Sequence, residues 1–291
     1  MSRSLRRVSR ALPSFDLVVA TVGRVDELEA LLASLARQTH RAFTVRVVDQ
    51  NEDDRLRPVL ADHPGLDLAH LRSPAGLSRA RNVALDGLAA DLVAFPDDDC
   101  VYADDLLERV AERFEGRAEL DGLTGRAESS DGVSSSSWRA DPAVLTRDNL
   151  WNRAISFTIF LRRGLVSRVG PFDEALGLGS GTPWHSGEEI DYLVRALAAG
   201  ARLEYDPSLV VTHDLGADEP STGLRDGASI GYLLRKHGYP PRAVARMLVR
   251  PVGGVAVSLA RRDRERARYH AATLRGRIAG YRGASRSKSA R

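Results

Sequence analysis

The sequence predicts an α/β fold in which helices flank a mostly parallel sheet, followed by a C-terminal helical extension. Short apolar runs, such as residues 15–20 and 92–95, alternate with segments whose leucines recur at helical spacing, such as residues 26–38. This alternation is typical of right-handed βαβ units. With 291 residues and 43% hydrophobic side chains, the chain can form one large or two modest domains.

Each element is predicted from its local pattern of apolar residues. The predicted strands are residues 15–20, 43–48, 66–71, 91–95, 120–128, 155–162, 202–205 and 209–212. The predicted helices are residues 26–38, 55–61, 77–90, 104–114 and 188–199, and the chain from residue 225 is largely helical. The serine-rich residues 129–137 predict a mobile loop.

Four regions are expected along the chain. We expect residues 1–13 to form a basic flexible N-terminus and residues 14–215 to form the main α/β domain. Residues 216–275 read as the helical extension, and residues 276–291 as a basic disordered tail.

The net charge of +3 is unevenly distributed. Residues 1–10 carry a net +4 and residues 261–291 a net +9, whereas residues 11–260 carry a net −10. An acidic body disfavours nucleic acid, so we expect no nucleic-acid partner. The basic ends suit an anionic membrane or another acidic partner.

The cysteine count and the N-terminus indicate the compartment. A single cysteine, Cys100, excludes a disulfide framework and a cysteine-based zinc site. The basic start is not followed by an apolar signal core, so we expect a cytoplasmic protein. No run reaches the roughly 18 uncharged apolar residues of a spanning helix.

The apolar residues 247–260 are interrupted by Arg250, Pro251 and two glycines and are followed by an arginine-rich segment. This pattern is typical of an interfacial helix at the inner face of the plasma membrane. The alternative is a helical cap that packs on the domain with an arginine-rich solvated face.

Three consecutive carboxylates follow the strand at residues 91–95. Pro96 ends the strand, and Asp97, Asp98 and Asp99 come directly after it. A divalent cation that holds a diphosphate would offset their mutual repulsion. The alternative is a solvated acidic turn that caps the next helix. The carboxyl ends of strands are also where open α/β sheets bind ligands.

Several short motifs occur in a characteristic order, and together they resemble family 2 glycosyltransferases with the Rossmann-like GT-A fold. They cover roughly residues 15–215. The motifs are V-V-A-T-V-G-R at 18–24, V-V-D-Q-N at 47–51, G-L-S-R-A-R-N at 76–82, F-P-D-D-D-C at 95–100, G-P-F-D-E at 170–174, G-E-E-I-D-Y at 187–192 and His213 after a short strand.

The resemblance implies a metal site. The Asp-x-Asp pair would be Asp97 and Asp99, which bind Mn²⁺ or Mg²⁺ across the two phosphates, with Asp98 near the ribose or the sugar. His213 resembles the family's late histidine ligand, which favours Mn²⁺ slightly. The alternative for His213 is a strand-end histidine bonded to the backbone.

The resemblance also implies donor-binding residues. Asp49 would contact the nucleobase or ribose, and Thr21 and Arg24 would line the same pocket. Arg79 and Arg81 would face the diphosphate or pair with the acids at the metal site. Asp49 has an alternative role as a turn residue. One of the two arginines has an alternative place on a solvated helix face, since positions two apart do not share a face.

An inverting transfer needs a base, and the resemblance implies Glu189, with Glu188 as the alternative. Asp191 would orient the acceptor, and Trp184 and His185 would stack on an acceptor sugar. The alternatives are acids that stabilise a helix N-terminus and aromatic side chains that only pack the loop.

The resemblance predicts an inverting, metal-dependent transfer of a hexosyl or deoxyhexosyl group from a nucleotide-diphosphate donor to a hydroxyl acceptor. The acceptor would be a cell-envelope polysaccharide, a lipid-linked glycan or a natural product. Two alternatives stay open: a sugar-phosphate nucleotidyltransferase, and a catalytically degenerate protein that binds nucleotide sugars.

Overall fold

The computed structural model describes residues 11–133, 138–214 and 219–287, with side chains described to residue 283. Most of the expected flexible N-terminus, part of the serine-rich loop and the boundary expected after residue 215 lie outside the described residues.

One mixed sheet runs through the described chain, in the order β3-β2-β1-β4-β8-β6-β9-β5, with β7 paired to β9. The strands are β1 (Phe15–Thr21), β2 (Phe43–Asp49), β3 (Leu68–Arg72), β4 (Leu92–Ala94), β5 (Val101–Tyr102), β6 (Gly122–Glu128), β7 (Ala143–Val144), β8 (Ile159–Arg162) and β9 (Leu203–Thr212).

Helices flank this sheet and form the extension. They are α1 (Asp26–Ala36), α2 (Arg57–Ala61), α3 (Leu77–Leu85), α4 (Leu106–Phe114), α5 (Arg163–Val169), α6 (Glu188–Ala198), α7 (Pro220–Lys236), α8 (Pro241–Ala260) and α9 (Arg264–Ser287). The predicted α/β class is confirmed, with a C-terminal helical extension. Helix α5 and the two-residue strands β5 and β7 were not predicted.

The sheet is parallel in its first half and mixed in its second. Strands β1 to β4 pair in parallel, because a helix crosses over between each strand and the next. Strand β8 runs antiparallel to β4 and β6, since no long crossover helix joins β6 to β8. Strand β9 replaces two predicted strands, and its Pro207 lies where the pairing with β6 shifts register.

Both faces of the sheet are covered by apolar side chains. In β1, Leu17 and Val19 belong to the cluster on one face, and Val18 belongs to the cluster on the other. A strand buried on both faces needs this continuous apolar run. The strands are therefore rigid supports for the polar residues at their carboxyl ends.

The extension is held together by two helices that approach closely through glycines. Gly223, Gly227 and Gly231 of α7 lie against the α9 backbone around Thr273 and Arg277. In return, Gly276 and Gly280 of α9 lie against the backbone of α7. This spacing of four residues puts the glycines on one face of each helix.

Helix α9 corrects the expectation of a disordered tail, because residues 276–287 are helical. Arg277 gives part of the reason. Pro251 inside α8 has no N–H for the carbonyl of Met247, four residues before it, and Arg277 Nη1 donates to that carbonyl instead. Arg277 is 9% exposed, and burial lowers its pKa to about 10. An arginine-rich composition therefore does not prevent this segment from packing.

Candidate active site

The carboxylates Asp97 and Asp99 lie at the end of β4 and face His213, which follows β9. Asp97 bridges in parallel to Ala20 at the end of β1, so the acids sit at the carboxyl edge of the sheet. One potential ligand atom from each of Asp97, Asp99 and His213 lies within 4.8 Å of the other two. These residues lie up to 116 positions apart in the sequence, and the fold brings them together.

His213 is fixed from two sides. Its backbone N–H donates to the Glu128 carbonyl at 2.8 Å, and its ring stacks on Phe157 with centroids 4.5 Å apart. Its Nε2 lies 2.9 Å from Asp99 Oδ1. The side chain therefore faces the acids, and only its backbone makes the strand-end hydrogen bond.

The donor set of this cluster fits a divalent cation. Ligand atoms of one ion at 2.0–2.6 Å from it lie within about 5 Å of each other. The second ring nitrogen of His213, Nδ1, is buried without a hydrogen-bond partner among the described residues. Carboxylate oxygens suit Mg²⁺ and Mn²⁺, and an imidazole shifts the preference toward Mn²⁺. Asp97, Asp99 and His213 are thus the residues that would hold the ion.

Arg24, in the loop after β1, pairs with Asp98 and Asp99 of the triplet. Its Nη1 donates to Asp98 Oδ1 at 2.8 Å and also to Asp99. Burial would raise the pKa of Asp99, but the His213 hydrogen bond and the Arg24 charge outweigh it and lower the pKa. Burial raises the pKa of Asp98 despite its hydrogen bond with Thr21.

Arg81 is a buried cation that joins the triplet to the acidic pair on α6. The residue is 1% exposed, and its Nη1 donates to Glu188 Oε1 at 2.9 Å. Its Nη2 donates to Asp97 Oδ1 at 3.2 Å, and Ser156 Oγ donates to the same carboxylate at 3.2 Å. Burial raises the pKa of Asp97 to about 6, although Arg81 opposes the shift.

A cleft of about 370 Å³ opens beside the triplet. The sequence did not single out Gln50, Leu178 or Gly179, which help to line it. Gly179 has φ +73°, and an added Cβ would lie 3.0 Å from Gly76 N, so the loop closes tightly on the start of α3. The lining residues are Ala20, Val22, Arg24, Gln50, Ala75, Gly76, Leu77, Asp97, Asp98, Asp99, Leu178, Gly179 and His213.

A second cleft, of about 350 Å³, lies between the start of α6 and helix α7. Glu189 lines it, together with Trp138, Trp151 and Asp226. Burial, with a contribution from Glu188, raises the pKa of Glu189 to about 8. Gly187 precedes the helix with φ +87°, and an added Cβ would lie 2.6 Å from Leu233 Cδ1. A side chain at this position would therefore have to move the end of the Leu233 side chain and hold a left-handed backbone that favours glycine.

The comparisons with known proteins agree with this geometry. A family model described as glycosyl transferase family 2 matches residues 16–171, which is more than half of the chain. The chain belongs to glycosyl transferase family 2. The predicted family and its GT-A fold are confirmed.

Two relatives of this family 2 chain illustrate the range of similarity. The pre-mycofactocin glycosyltransferase of Mycobacterium tuberculosis is 29% identical over 215 residues, which cover 68% of this chain and 42% of the relative. Glycosyltransferase AglE of Haloferax volcanii is 21% identical over 217 residues, or 71% of this chain and 68% of the relative. The chain therefore spans about two fifths of the length of the mycobacterial relative.

Solved structures share the fold at low sequence identity. One is the mannosyltransferase PcManGT of Pyrobaculum calidifontis in complex with GDP-Man and Mn²⁺. It superposes on this chain with a TM-score of 0.66 at 16% identity, and the superposition covers 93% of this chain and 87% of the PcManGT chain. S. aureus TarS 1-349 in complex with UDP-GlcNAc gives a TM-score of 0.58 at 18% identity and covers 88% of this chain and 89% of its own.

Asp49 and Arg79, expected at the donor, lie elsewhere in this family 2 chain. Asp49 is fully buried and accepts a hydrogen bond from the Asn51 backbone, and its Oδ2 lies 3.0 Å from His70 Nε2. Asp49 therefore shapes the turn after β2. Arg79 Nε donates to Glu174 at 3.0 Å, and Arg79 does not line the 370 Å³ cleft. Arg79 and Arg81 are two positions apart, so α3 turns only Arg81 toward the acids.

Three residues expected at the acceptor, Asp191, Trp184 and His185, do not line the second cleft. Asp191 is fully buried, where it pairs with Lys236 and His237 and ties α6 to the end of α7. Lys236 and His237 outweigh the effect of burial and lower the pKa of Asp191. Trp184 stacks on Tyr232 of α7, with ring centroids 4.5 Å apart, and so packs on the extension.

Trp138 and Trp151 are the aromatic side chains that line the second cleft. Trp151 packs on Tyr239 at 5.7 Å between ring centroids, which links this wall to the extension. The sequence indicated Trp138 and Trp151, which flank the variable middle segment, only as weaker candidates for acceptor contact.

Proposed function

We propose that this chain transfers a sugar from a nucleoside-diphosphate donor to an acceptor hydroxyl, with inversion and with Mn²⁺ or Mg²⁺ at the acidic triplet. The observation that carries the proposal is the convergence of Asp97, Asp99 and His213 within 4.8 Å at the rim of the 370 Å³ cleft. Two solved structures of similar fold, one in complex with GDP-Man and Mn²⁺ and the other with UDP-GlcNAc, support this class of donor. The cleft volume suits a ligand of that size.

In this proposal the first cleft binds the donor, and we call it the donor cleft. A bound divalent cation would neutralise the negative charge that develops on the departing diphosphate. Arg24 lines the same cleft and can contact the phosphates with its exposed guanidinium. Arg81 holds Asp97 in place from behind, because its second nitrogen is anchored on buried Glu188.

The second cleft would bind the acceptor, and we call it the acceptor cleft. Its indole rings can stack on a sugar face, and the carboxylate of Asp226 can accept hydroxyl hydrogen bonds. We propose Glu189 rather than Glu188 as the base, since Glu188 is 5% exposed and bonded to Arg81. A base with a pKa near 8 is suited to proton transfer around neutral pH.

The proposed step balances as a single displacement. The acceptor oxygen forms a bond to the anomeric carbon while the bond from that carbon to the phosphate oxygen breaks. The hydroxyl proton passes to a Glu189 carboxylate oxygen, and the nucleoside diphosphate departs with the electron pair. The acceptor would be a hydroxyl of a glycan, a lipid-linked glycan or a natural product.

The test is a thermal-shift and calorimetry screen of UDP-, dTDP- and GDP-sugars with Mn²⁺. We expect one donor class to stabilise the wild-type protein in a metal-dependent way. Asp99→Asn should reduce Mn²⁺ affinity by about 10- to 100-fold, since a ligand is lost. Asp105→Asn is the matched control, because Asp105 is an exposed carboxylate before α4.

Two outcomes would contradict the proposal. One is full Mn²⁺ and donor affinity in Asp99→Asn. The other is release of pyrophosphate from a sugar phosphate and a nucleoside triphosphate, which would make the protein a nucleotidyltransferase. The short loop Thr21 to Arg24 after β1 argues against the second outcome, since it lacks a glycine-rich phosphate loop.

A further inference from the structure

Helix α8 is long and apolar but only partly covered. By length and composition it could cross a membrane, with a mean hydropathy of 1.4 in an 18-residue window, of which 22% is buried. Core helices of soluble proteins also meet this criterion, and they are mostly buried. The distribution of side chains around α8 therefore decides its role.

One face of α8 is occupied by the rest of the extension. Val244 and Met247 are buried with Tyr239, and Trp151 packs against this cluster. The carbonyl of Met247 also accepts the hydrogen bond from buried Arg277 of α9. These contacts hold α8 along its length on the other helices, as expected for a helix that stays with the folded chain.

The opposite face exposes large apolar side chains. Val249 is 65% exposed, Val252 50%, Val257 53% and Leu259 57%. These are four of the ten large apolar side chains that are exposed in the described part of the chain. Water-facing valines and leucines at this density mark an interaction surface.

Arginines border the apolar face. Arg242, Arg246 and Arg250 recur every four residues and so line one flank of α8. Residues 241–268 contain eight arginines and two acidic residues. An apolar strip beside a row of cations has the charge and shape that match the headgroups and upper acyl chains of an anionic bilayer.

The geometry points to α8 as a membrane-docking helix that lies in the plane of an anionic lipid surface. The exposed valines and Leu259 enter the acyl boundary while the arginines contact lipid phosphates. The anionic surface that this chemistry matches is the cytoplasmic leaflet of the plasma membrane. Docking in this way goes beyond the proposed function and does not depend on it.

The docking would also affect the acceptor cleft. Trp151 lines that cleft and packs against the buried face of α8, so the cleft would lie about one helix diameter, roughly 10 Å, from the lipid surface. A lipid-linked acceptor whose glycan spans this distance could then reach Glu189 while its lipid stays in the membrane. This last consequence rests on the proposed function.

Vesicle co-sedimentation of the purified full chain tests the docking, since it needs no turnover. We expect strong binding to phosphatidylcholine vesicles that contain about 30% phosphatidylglycerol, little binding to pure phosphatidylcholine, and loss of binding at high salt. The double variant Val252→Asp/Val257→Asp should lower the partition coefficient at least about tenfold. Val133→Asp is the matched control, because Val133 is 62% exposed outside the extension.

The arginines are tested in the same assay. Arg242→Glu/Arg250→Glu should lower binding to anionic vesicles by about tenfold or more, since each cation near the surface contributes. Arg57→Glu is the control, with a side chain that is 76% exposed on α2. Circular dichroism of each variant checks that it is folded.

Four results would overturn the inference. Binding that is equal for the variants and their controls, or absent for both vesicle types, would exclude α8 as the docking element. Protein that resists extraction from vesicles by alkaline carbonate would indicate a spanning helix. A concentration-dependent dimer that Val252→Asp/Val257→Asp abolishes, without vesicle binding, would assign the face to a second copy of the chain. Failure of any transferase assay would leave these readouts unchanged.

Discussion

The donor cleft and the acceptor cleft differ in the part of the chain that supports them. The donor cleft lies at the ends of β1, β4 and β9 and the start of α3, all of which contact the sheet. The acceptor cleft takes one wall from α6 and the other from α7, through Asp226, Ile230 and Leu233. The sheet thus fixes the donor half, whereas the packing of the extension fixes the acceptor half.

The two clefts also differ in charge. Arg24 and His213 face three carboxylates in the donor cleft, where Arg24 lies 2.8 Å from Asp98 and His213 lies 2.9 Å from Asp99. The acceptor cleft is lined mainly by apolar and aromatic side chains, and Glu189 has a raised pKa there. A polar donor half and a drier acceptor half suit a charged donor and an uncharged hydroxyl.

The largest expected effect comes from Glu189, the proposed base in the acceptor cleft. Glu189→Gln should lower kcat by about 10²–10⁴-fold, because the acceptor proton then has no base. Donor affinity in the presence of Mn²⁺ should stay at the wild-type value, because Glu189 does not line the donor cleft. Steady-state kinetics and calorimetry measure the two quantities.

Asp226→Asn is the control for Glu189→Gln. Asp226 is a second carboxylate of the same cleft, and its loss should raise the acceptor KM with little change in kcat. Wild-type kcat in Glu189→Gln would move the base to another residue, with Glu188 as the first candidate.

A glycine in the extension tests whether the two supports are separate. In Gly280→Ala, the new Cβ has no room beside the Ala228 carbonyl, and the overpacking should lower the free energy of unfolding by about 1–3 kcal/mol. The acceptor KM should rise while the donor KM is retained. Gly253→Ala on α8 is the control, since nothing lies within 4 Å of its new Cβ, and alanine favours a helix. Equal loss of donor and acceptor affinity in Gly280→Ala would show that one support serves both clefts.

The smallest effect is a dependence of stability on pH. The folded pKa of Glu189, about 8, lies above the unfolded value of about 4.3. The protonated form is therefore favoured by folding, and its contribution to stability is lost as pH rises from about 4.3 through 8. The wild type should therefore lose stability relative to Glu189→Gln as the pH rises from acidic to alkaline values. Urea titrations at acidic and alkaline pH measure this, and identical pH profiles of the two proteins would contradict the raised pKa. The transfer rate should rise with pH over the same interval.

The sequence predicted the convergence of Asp97, Asp99 and His213 because these residues follow strands. Asp97, Asp99 and His213 come directly after apolar runs, and strand ends meet at one edge of a sheet. The element boundaries at β1, β2 and α4 differ from the predictions by only one or two residues. Local patterns were sufficient there, because the same short segments determine both the strand and the position of its last polar residue.

The acceptor half was predicted poorly because it depends on contacts that no local pattern encodes. Trp184 and Asp191 were assigned to the acceptor, but α7 covers both, through Tyr232 and through Lys236 and His237. Those partners lie about 40 or more residues later in the chain. One sequence pattern does indicate that the C-terminal segment is ordered, namely the glycines spaced by four residues in α7 and α9. The overall composition of the segment does not show this spacing.

Arg81 imposes a constraint on how this molecule can diverge. Its two terminal nitrogens reach Glu188 and Asp97 separately, and a lysine, with one nitrogen, could satisfy only one of them in that geometry. A neutral side chain would leave the buried carboxylate of Glu188 without a compensating positive charge. A lineage that replaces this arginine must therefore change Glu188 at nearly the same time, so new acceptor preferences are easier to acquire through α7 than through the centre of the site.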